Sequence, residues 1–364
     1  MDILTEPVLA PYSTADAVIS AMAKKPNVRQ WESKGAVNRA GDAVRADTLT
    51  SHQAIILESW RMAHRQVIHT FEALLRARAK RKKGIEVAQR LKRRYTIMDK
   101  LTRYPGMQLA RMDDVAGCRL IFPDIEGLHK FRDEVHRARF NHILKSEKAK
   151  YDYIEHPTPR GYRGIHDIYE YRARKGRSTA CNGLLIEIQY RTQVQHSWAT
   201  AVEVVTQMTE HEPKFNRGDP RYIRLFCLAS EMLARVNENK KSCVPDASGR
   251  ELVEEFQRLD EEIHVIPLLI DLGVHKWIGD RSKSERVILQ ITKDNELKLH
   301  EFDLELEASK RLLELEKEFP DDNIVLVGAE TVAEVMSAFR NYFNDVNTFL
   351  KLFYAAREEL KNTA

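Results

Sequence analysis

Residues 184–192 read Leu-Leu-Ile-Glu-Ile-Gln-Tyr-Arg-Thr. The stretch is largely apolar, and it sets Glu187, Gln189 and Arg191 at alternate positions. A strand points every second side chain to the same face. A carboxylate, an amide and a guanidinium therefore line one wall, while Leu184, Ile186, Ile188 and Tyr190 face a core. Burying an acid and an arginine on such a strand is costly unless each has a partner or a task. An edge strand with one solvated face would read the same, so the surrounding segments decide.

Working outward, residues 193–209 and 221–237 read as helices, and 164–172 alternates like a second strand. Residues 118–122 form a short apolar strand closed by Pro123 and Asp124, and 128–139 a helix. Residues 48–81 carry Ile55, Leu57, Trp60, Val67, Phe71 and Leu74 at helical spacing. A shorter helix over 95–102 ends before Pro105. Residues up to about 47 hold Pro7, Pro11 and Pro26 and show little sustained period. Ser, Pro, Asp and Gly gather over 240–249, where a linker is expected. Beyond it, 286–292 and 296–302 flank a turn at 293–295 and predict a β-hairpin. A helix over 304–319, a strand over 323–327 and a helix over 331–360 follow. The expected organisation is a helical N-terminal region (1–83), a central domain (84–240) and a small C-terminal α+β module (250–364) of regulatory or interaction character.

The 364 residues are 43% hydrophobic and 31% charged, an ordinary balance for a soluble protein of more than one domain. No apolar run reaches the length of a membrane span, so no membrane association is expected. A basic segment leading into an apolar one is lacking at the start, so secretion is not indicated. Cys118, Cys181, Cys227 and Cys243 lack CxxC spacing, which argues against zinc and a disulfide framework and for reduced thiols in the cytoplasm. The net charge of +4 hides an asymmetry. Residues 61–111 hold 15 Lys/Arg against three acids, whereas 251–364 hold 14 against 25. A basic front half suits a polyanionic ligand: nucleotide phosphates, nucleic acid or both.

Four constellations carry chemistry. Arg90 and Lys92 share a side if their approach is extended, and with Lys100 they suit a triphosphate. Asp114 stands at the entrance of the 118–122 strand near Gly117, an arrangement that holds Mg2+ near phosphates; a turn aspartate would look alike. Two prolines and two glycines bracket Tyr162, fixing a loop whose ring could stack on a nucleobase or pack as an ordinary core tyrosine. The fourth is the opening strand, followed by His196 and Glu203 on one face of the next helix.

In order, these segments read Arg90-x-Lys92, Thr96-Ile97-x-x-Lys100, Asp114-x-x-Gly117-x-Arg119, Gly161-Tyr162-x-x-Ile165-His166 and Glu187-Ile-Gln189-x-Arg191-Thr192. Together they resemble the synthetase domain of the RelA/SpoT alarmone synthetase family over about residues 84–209. The resemblance implies an α+β fold, with a mixed five-stranded nucleotidyltransferase-like sheet flanked by helices. It also implies transfer of the β,γ-pyrophosphate of ATP to a ribose 3′-hydroxyl, usually of GDP or GTP, with Mg2+ as cofactor. By that resemblance Asp114 binds Mg2+, and Glu187 binds metal or activates the hydroxyl. Arg90, Lys92, Lys100 and Arg119 hold ATP; Tyr162 stacks on the acceptor base, and Arg160, His166, Gln189 and Arg191 line the acceptor side.

Departures from the family pattern sit in the acceptor loop. The usual Pro-Lys is Pro157-Thr158 here, with Arg160 available in the lysine's stead, and Gly164 replaces a serine. No upstream His-Asp pair suits a metal hydrolase, since His166-Asp167 belongs to the acceptor segment, so synthesis without hydrolysis is expected. The altered loop and the basic stretch 76–94 also fit a toxic relative that pyrophosphorylates the 3′ end of tRNA. A non-catalytic nucleotide sensor is a third reading, opposed by the intact Asp114 and Glu187. An antitoxin or trigger protein at the C-terminal module, and a homo-oligomer, are the partners compatible with these readings.

Overall fold

The computed structural model describes residues 31–92, 94–208, 219–274, 286–291, 297–302 and 323–362, with scattered positions between 307 and 319. Pro7, Pro11 and Pro26, the turn at 293–295 and most of the helix expected over 304–319 lie outside the described residues.

The chain forms two compact units. The first contains α1 (Lys34–Arg45), α2 (Ser51–Ala79), β1 (Glu86–Leu91), α3 (Arg94–Arg103), β2 (Ala116–Phe122), α4 (Ile125–His136), β3 (Ile143–Leu144), β4 (Ile165–Glu170) and β5 (Leu185–Thr192). The strands make one sheet in the order β1-β2-β5-β4-β3. The β2/β5 pair is parallel, while the β1/β2, β5/β4 and β4/β3 pairs are antiparallel. The sheet is therefore mixed and five-stranded, as expected. Its edge strand β3, only two residues long, gave no signal in the sequence.

Alternation along β2 and β5 builds the two faces. Cys118, Leu120, Phe122, Ile186, Ile188 and Tyr190 are buried on one of them. Ring contacts place α4 and α2 on this apolar side: Phe122 meets Phe131 at 5.4 Å and Tyr169 meets Phe71 at 5.6 Å. Helix α2 begins with a capping box, in which Thr50 and Gln53 satisfy each other's backbone N–H groups. Its buried stripe includes Leu57, Trp60, Val67 and Phe71 as expected, but Ile56 and Leu75 are buried where Ile55 and Leu74 were read. Ile55 is 40% exposed. Thus α2 packs on the sheet and is not part of a separate N-terminal region.

Helix α1 was not legible. Its buried positions are Ala36, Val37, Ala40, Gly41 and Ala43, small residues that give a helical period but little hydrophobic contrast. Smallness is the requirement here: a Cβ on Gly41 would stand 2.7 Å from Leu109 Cβ.

Asp167, on the apolar side of β4, is fully buried. It accepts two bonds from Arg132 Nε at 3.1 Å and one from Arg132 Nη2 at 2.6 Å, and lies 2.6 Å from His136 Nε2. Burial alone would raise its pKa; His136 and Arg132 outweigh this and hold it below the ordinary value of 3.8. Asp167 thus ties α4 to the sheet.

The second unit comprises the segment Tyr153–Arg163 and everything from Gln193 onward. Helices α5 (Gln193–Met208), α6 (Pro220–Glu238), α7 (Gly249–Ile263), α8 (Val265–Val274) and α9 (Ala329–Asn362) belong to it, with β6 (Arg286–Ile291), β7 (Leu297–Phe302) and β8 (Asn323–Gly328). The three strands form an antiparallel sheet in the order β7-β6-β8, which includes the expected hairpin. One core joins Trp198 of α5, Phe226 and Met232 of α6, Phe256 of α7 and Phe349 and Phe353 of α9. Phe256 and Phe353 lie 4.4 Å apart between ring centroids.

This division differs from the one expected at 240–250. The linker-like composition there belongs to a packed connection. Fully buried Glu231 accepts the backbone N–H groups of Ser242 at 2.7 Å and Val244 at 3.0 Å. Polar turn residues satisfied by a buried carboxylate look the same in sequence as those satisfied by water. The unit boundary falls instead at Thr192, where β5 runs directly into α5.

Two outcomes follow. A chain ending at Lys240 lacks the α7–α9 side of the helical core, so it should bind a hydrophobic dye strongly and lose cooperative unfolding of that unit; a cooperative, dye-silent truncate would contradict the division. Replacing Asp167 with Asn leaves Arg132 buried without its counter-charge and should cost about 3–5 kcal/mol in urea unfolding. Because the folded pKa of Asp167 is depressed, its contribution is complete above the ordinary aspartate value and is lost as pH falls through the folded one. The difference between parent and variant should therefore shrink in acid.

Candidate active site

The polar face of the first sheet is set by register. Arg90, Gly117 and Glu187 are successive neighbours across β1, β2 and β5, and Arg119, Gln189 and His166 across β2, β5 and β4. Paired residues point the same way, so these side chains and Arg191 share one face. Lys92 continues β1 through a bond from its N–H to Val115 O, which puts Arg90 and Lys92 on one side as expected. Gly117 leaves the strip between Arg90 and Glu187 bare of side chain.

Gln189 is the hub. Its Nε2 donates to Glu187 Oε2 at 2.6 Å, while its Oε1 accepts from Arg191 Nη2 at 3.2 Å and Arg119 Nε at 3.4 Å. Glu187 Oε1 lies 2.9 Å from His166 Nδ1. Both oxygens of Glu187 are therefore engaged by neighbours that favour its charged form. Burial would push its pKa up, but His166, the bond from Gln189 and the charge of Lys100 bring it down to about 2.

A second cluster sits at the entrance of β2. Asp114 Oδ2 is 2.8 Å from Lys92 Nζ and 2.9 Å from Lys100 Nζ. Burial opposes its charge, yet the two ammonium groups hold its pKa below the usual range. Burial lowers the pKa of Lys92 in turn, with Asp114 acting against the shift. Asp114 Oδ1 is buried without a hydrogen-bond partner among the described residues, an acceptor beside two cations.

Asp113 was missed as a candidate because its neighbour carried the motif. Lys100 Nζ lies 4.0 Å from it. Its pKa is raised by burial, opposed by Lys100 and reinforced by the charges of Asp114 and Glu187. Lys100 thus stands among three carboxylates, and two of them share its charge at close range. The doubled Asp113-Asp114 was the available signal.

The sheet unit brings together Arg90, Lys92, Lys100, Asp114, Arg119, His166, Glu187, Gln189 and Arg191. Arg119, expected on the ATP side, bonds to the Gln189 hub along with Arg191. Arg160 and Tyr162 belong to the second unit. There Arg160 is exposed, and Tyr162 packs half-buried against the helical core with Tyr153 at 5.6 Å between ring centroids. His196 also belongs to that unit, 3.0 Å from Asp345 of α9, which ties α5 to α9.

Among the described residues no cluster of three or more His, Cys, Asp or Glu forms a metal cage, and no helix is long and apolar enough to cross a membrane.

Comparison with known proteins agrees with the motif reading. Residues 89–209, a third of the chain, match the family model described as a region found in RelA / SpoT proteins. An uncharacterized protein of Mycobacterium tuberculosis is 32% identical over 119 residues, as is one of Mycobacterium bovis; each match covers 33% of this chain and 38% of the relative. The chain therefore spans well under two thirds of the curated relatives it matches. Among solved structures, small alarmone synthetase 1 from Bacillus subtilis, bound to its product pppGpp, is 20% identical. That match covers 59% of this chain and 98% of the other, with a TM-score of 0.41. A GTP pyrophosphokinase family protein from Streptococcus pneumoniae is 23% identical, covering 49% and 88%, with a TM-score of 0.40.

The hub makes a spectroscopic prediction. Followed by carboxyl-carbon NMR, Glu187 should stay ionised down to about pH 2. Its midpoint should rise in His166→Ala. A midpoint in the ordinary glutamate range for the parent protein would dissolve the hub.

Proposed function

We propose that this protein is a nucleotide pyrophosphokinase, which moves the β,γ-pyrophosphoryl group of ATP to the ribose 3′-hydroxyl of GDP or GTP, releasing AMP and the hydroxyl proton. The reading rests on one observation: within the stretch that matches RelA / SpoT proteins, a sheet face carries an ordered carboxylate hub and the entrance of β2 a separate Asp-Lys-Lys cluster. Pyrophosphoryl transfer asks for that division, with cations to spread phosphate charge and a carboxylate at the attacking hydroxyl.

Lys92 and Lys100 neutralise Asp114 now and would turn toward phosphate oxygens as point charges when nucleotide enters. Arg90, exposed at the sheet edge, offers a planar fork to the same phosphates. Mg2+ fits this set. It takes one or two carboxylates and fills its shell with phosphate and water, so it needs no all-protein cage. The unpartnered Oδ1 of Asp114 is one such ligand, and Glu187 would be the other. When bound, the ion supplies charge neutralisation across the transferred phosphates.

Glu187 stands as the carboxylate at neutral pH, held there by His166, Gln189 and Lys100 against its burial. Its task is to orient the 3′-hydroxyl as hydrogen-bond acceptor, with His166 and Gln189 fixing the carboxylate. By the family resemblance, Tyr162 stacks on the acceptor base and Arg160 meets its phosphates. Exposed Lys80, Arg81 and Lys83 are the observation that keeps the tRNA 3′ end as a second acceptor.

Incubation with γ-labelled ATP, Mg2+ and either GDP/GTP or deacylated tRNA separates the readings. Label should appear on the guanine nucleotide as a 3′-pyrophosphate. Label on tRNA alone would replace the acceptor, and ATP binding without any transfer would replace the activity with sensing. Glu187→Gln should slow transfer by about 100-fold or more while ATP still binds.

A further inference from the structure

Arg163 follows Tyr162 in the acceptor motif, yet the reaction above gives it no role. Its side chain is 3% exposed and bonds through Nη1 to Glu238 Oε2, itself almost fully buried. Gln195 Nε2 donates to the other oxygen of Glu238 at 3.0 Å. All three residues belong to the second unit.

The pair is poorly explained as a source of stability. Two charges have been taken out of water, and the Nε and Nη2 groups of Arg163 find no hydrogen-bond partner among the described residues. Arg163 also lines a cavity of about 10 Å³ together with Gly161, Gln195, Trp198 and Ser230. That is about the room of one water. Glu238 is also the last residue of α6, where the helix dipole disfavours a carboxylate. Two apolar side chains would fill this space at no greater cost.

What the pair does accomplish is geometric. The segment before it is latched along α6 at successive points. Cys227 Sγ donates to Pro159 O at 3.3 Å, and Ser230 Oγ donates to Gly161 O at 2.6 Å. Gly161 has φ +84°, and a Cβ there would stand 2.9 Å from Ser230 Cβ, so the backbone lies directly on the helix. Within the loop, Tyr162 N–H bonds Thr158 Oγ1 at 3.0 Å and Gly161 N–H bonds Thr158 O at 2.9 Å. Arg163–Glu238 closes this series immediately after Tyr162. A guanidinium fixed by a buried carboxylate permits far fewer orientations than an apolar contact.

We propose that Arg163 is a positioning residue for the acceptor: its buried pairing with Glu238 sets the place of Tyr162 and thereby the apparent affinity for the accepting nucleotide. This rests on the transfer activity proposed above.

The test is the double variant Arg163→Met/Glu238→Met, with Arg163→Lys as a milder change that keeps the charge but loses the planar guanidinium. Two readouts are compared with the parent: KM for acceptor against KM for ATP, and hydrogen exchange over residues 156–163. The double variant should raise acceptor KM about tenfold or more, leave ATP KM unchanged, and speed exchange over the loop by a similar factor. Arg163→Lys should move both in the same direction by less, and it decides the matter if the double variant fails to fold. Acceptor KM and loop exchange equal to the parent's in folded variants would overturn the proposal. Should the parent transfer to no acceptor, the functional reading fails separately, and loop exchange alone decides whether the pair positions Tyr162.

Discussion

The parallel pairing of β2 with β5 is the constraint on which the polar face depends. It sets Gly117 beside Glu187 and Arg119 beside Gln189, and antiparallel β4 adds His166 to the second row. A slip of one residue would send the charged row into the apolar side, against Phe71 and Phe131, and bring Ile186 and Ile188 out. Burial of Cys118, Leu120, Phe122 and Tyr190 opposes that slip, so the same apolar contacts that stabilise the sheet also hold the site in register.

Electrostatics then divides the face into two parts. At Glu187, His166, Gln189 and Lys100 favour the anion, and the carboxylate is both charged and oriented. At Asp114, one oxygen carries two ammonium groups while the other has no partner among the described residues. The first arrangement is finished; the second is balanced but open to rearrangement when phosphates compete for the lysines. The pKa of Asp113 is raised first by burial, and crowding adds to it, since three carboxylates near one lysine cannot all be favoured as anions.

The second unit follows a different logic. Its helices from α5 to α9 share one aromatic-rich core, and the Tyr153–Arg163 segment lies on α6 although it precedes β4 in the chain. The two residues expected to handle the acceptor base and phosphates, Tyr162 and Arg160, are thus built on helical packing, whereas the carboxylates and phosphate-side cations are built on the sheet. A motif contiguous in sequence is divided between two packing environments.

The sequence by itself determined the strands that alternate, the long amphipathic helix, the hairpin and the residues sharing one wall of β5. These depend on period, and period is a local property of the chain. It also determined the order of the motifs, because each needs only a few adjacent residue types. Helix α1 escaped because its contacts require small side chains, which carry little hydrophobic contrast. The packed connection after α6 escaped because turn residues look alike whether water or Glu231 satisfies them. Which oxygen of Glu187 meets His166, which side of Gln189 faces the arginines, and where one unit ends and the next begins were decided only by tertiary structure. Partner choice for a buried polar group depends on what the rest of the chain brings within 3 Å or so, and strand register and helix packing supply that.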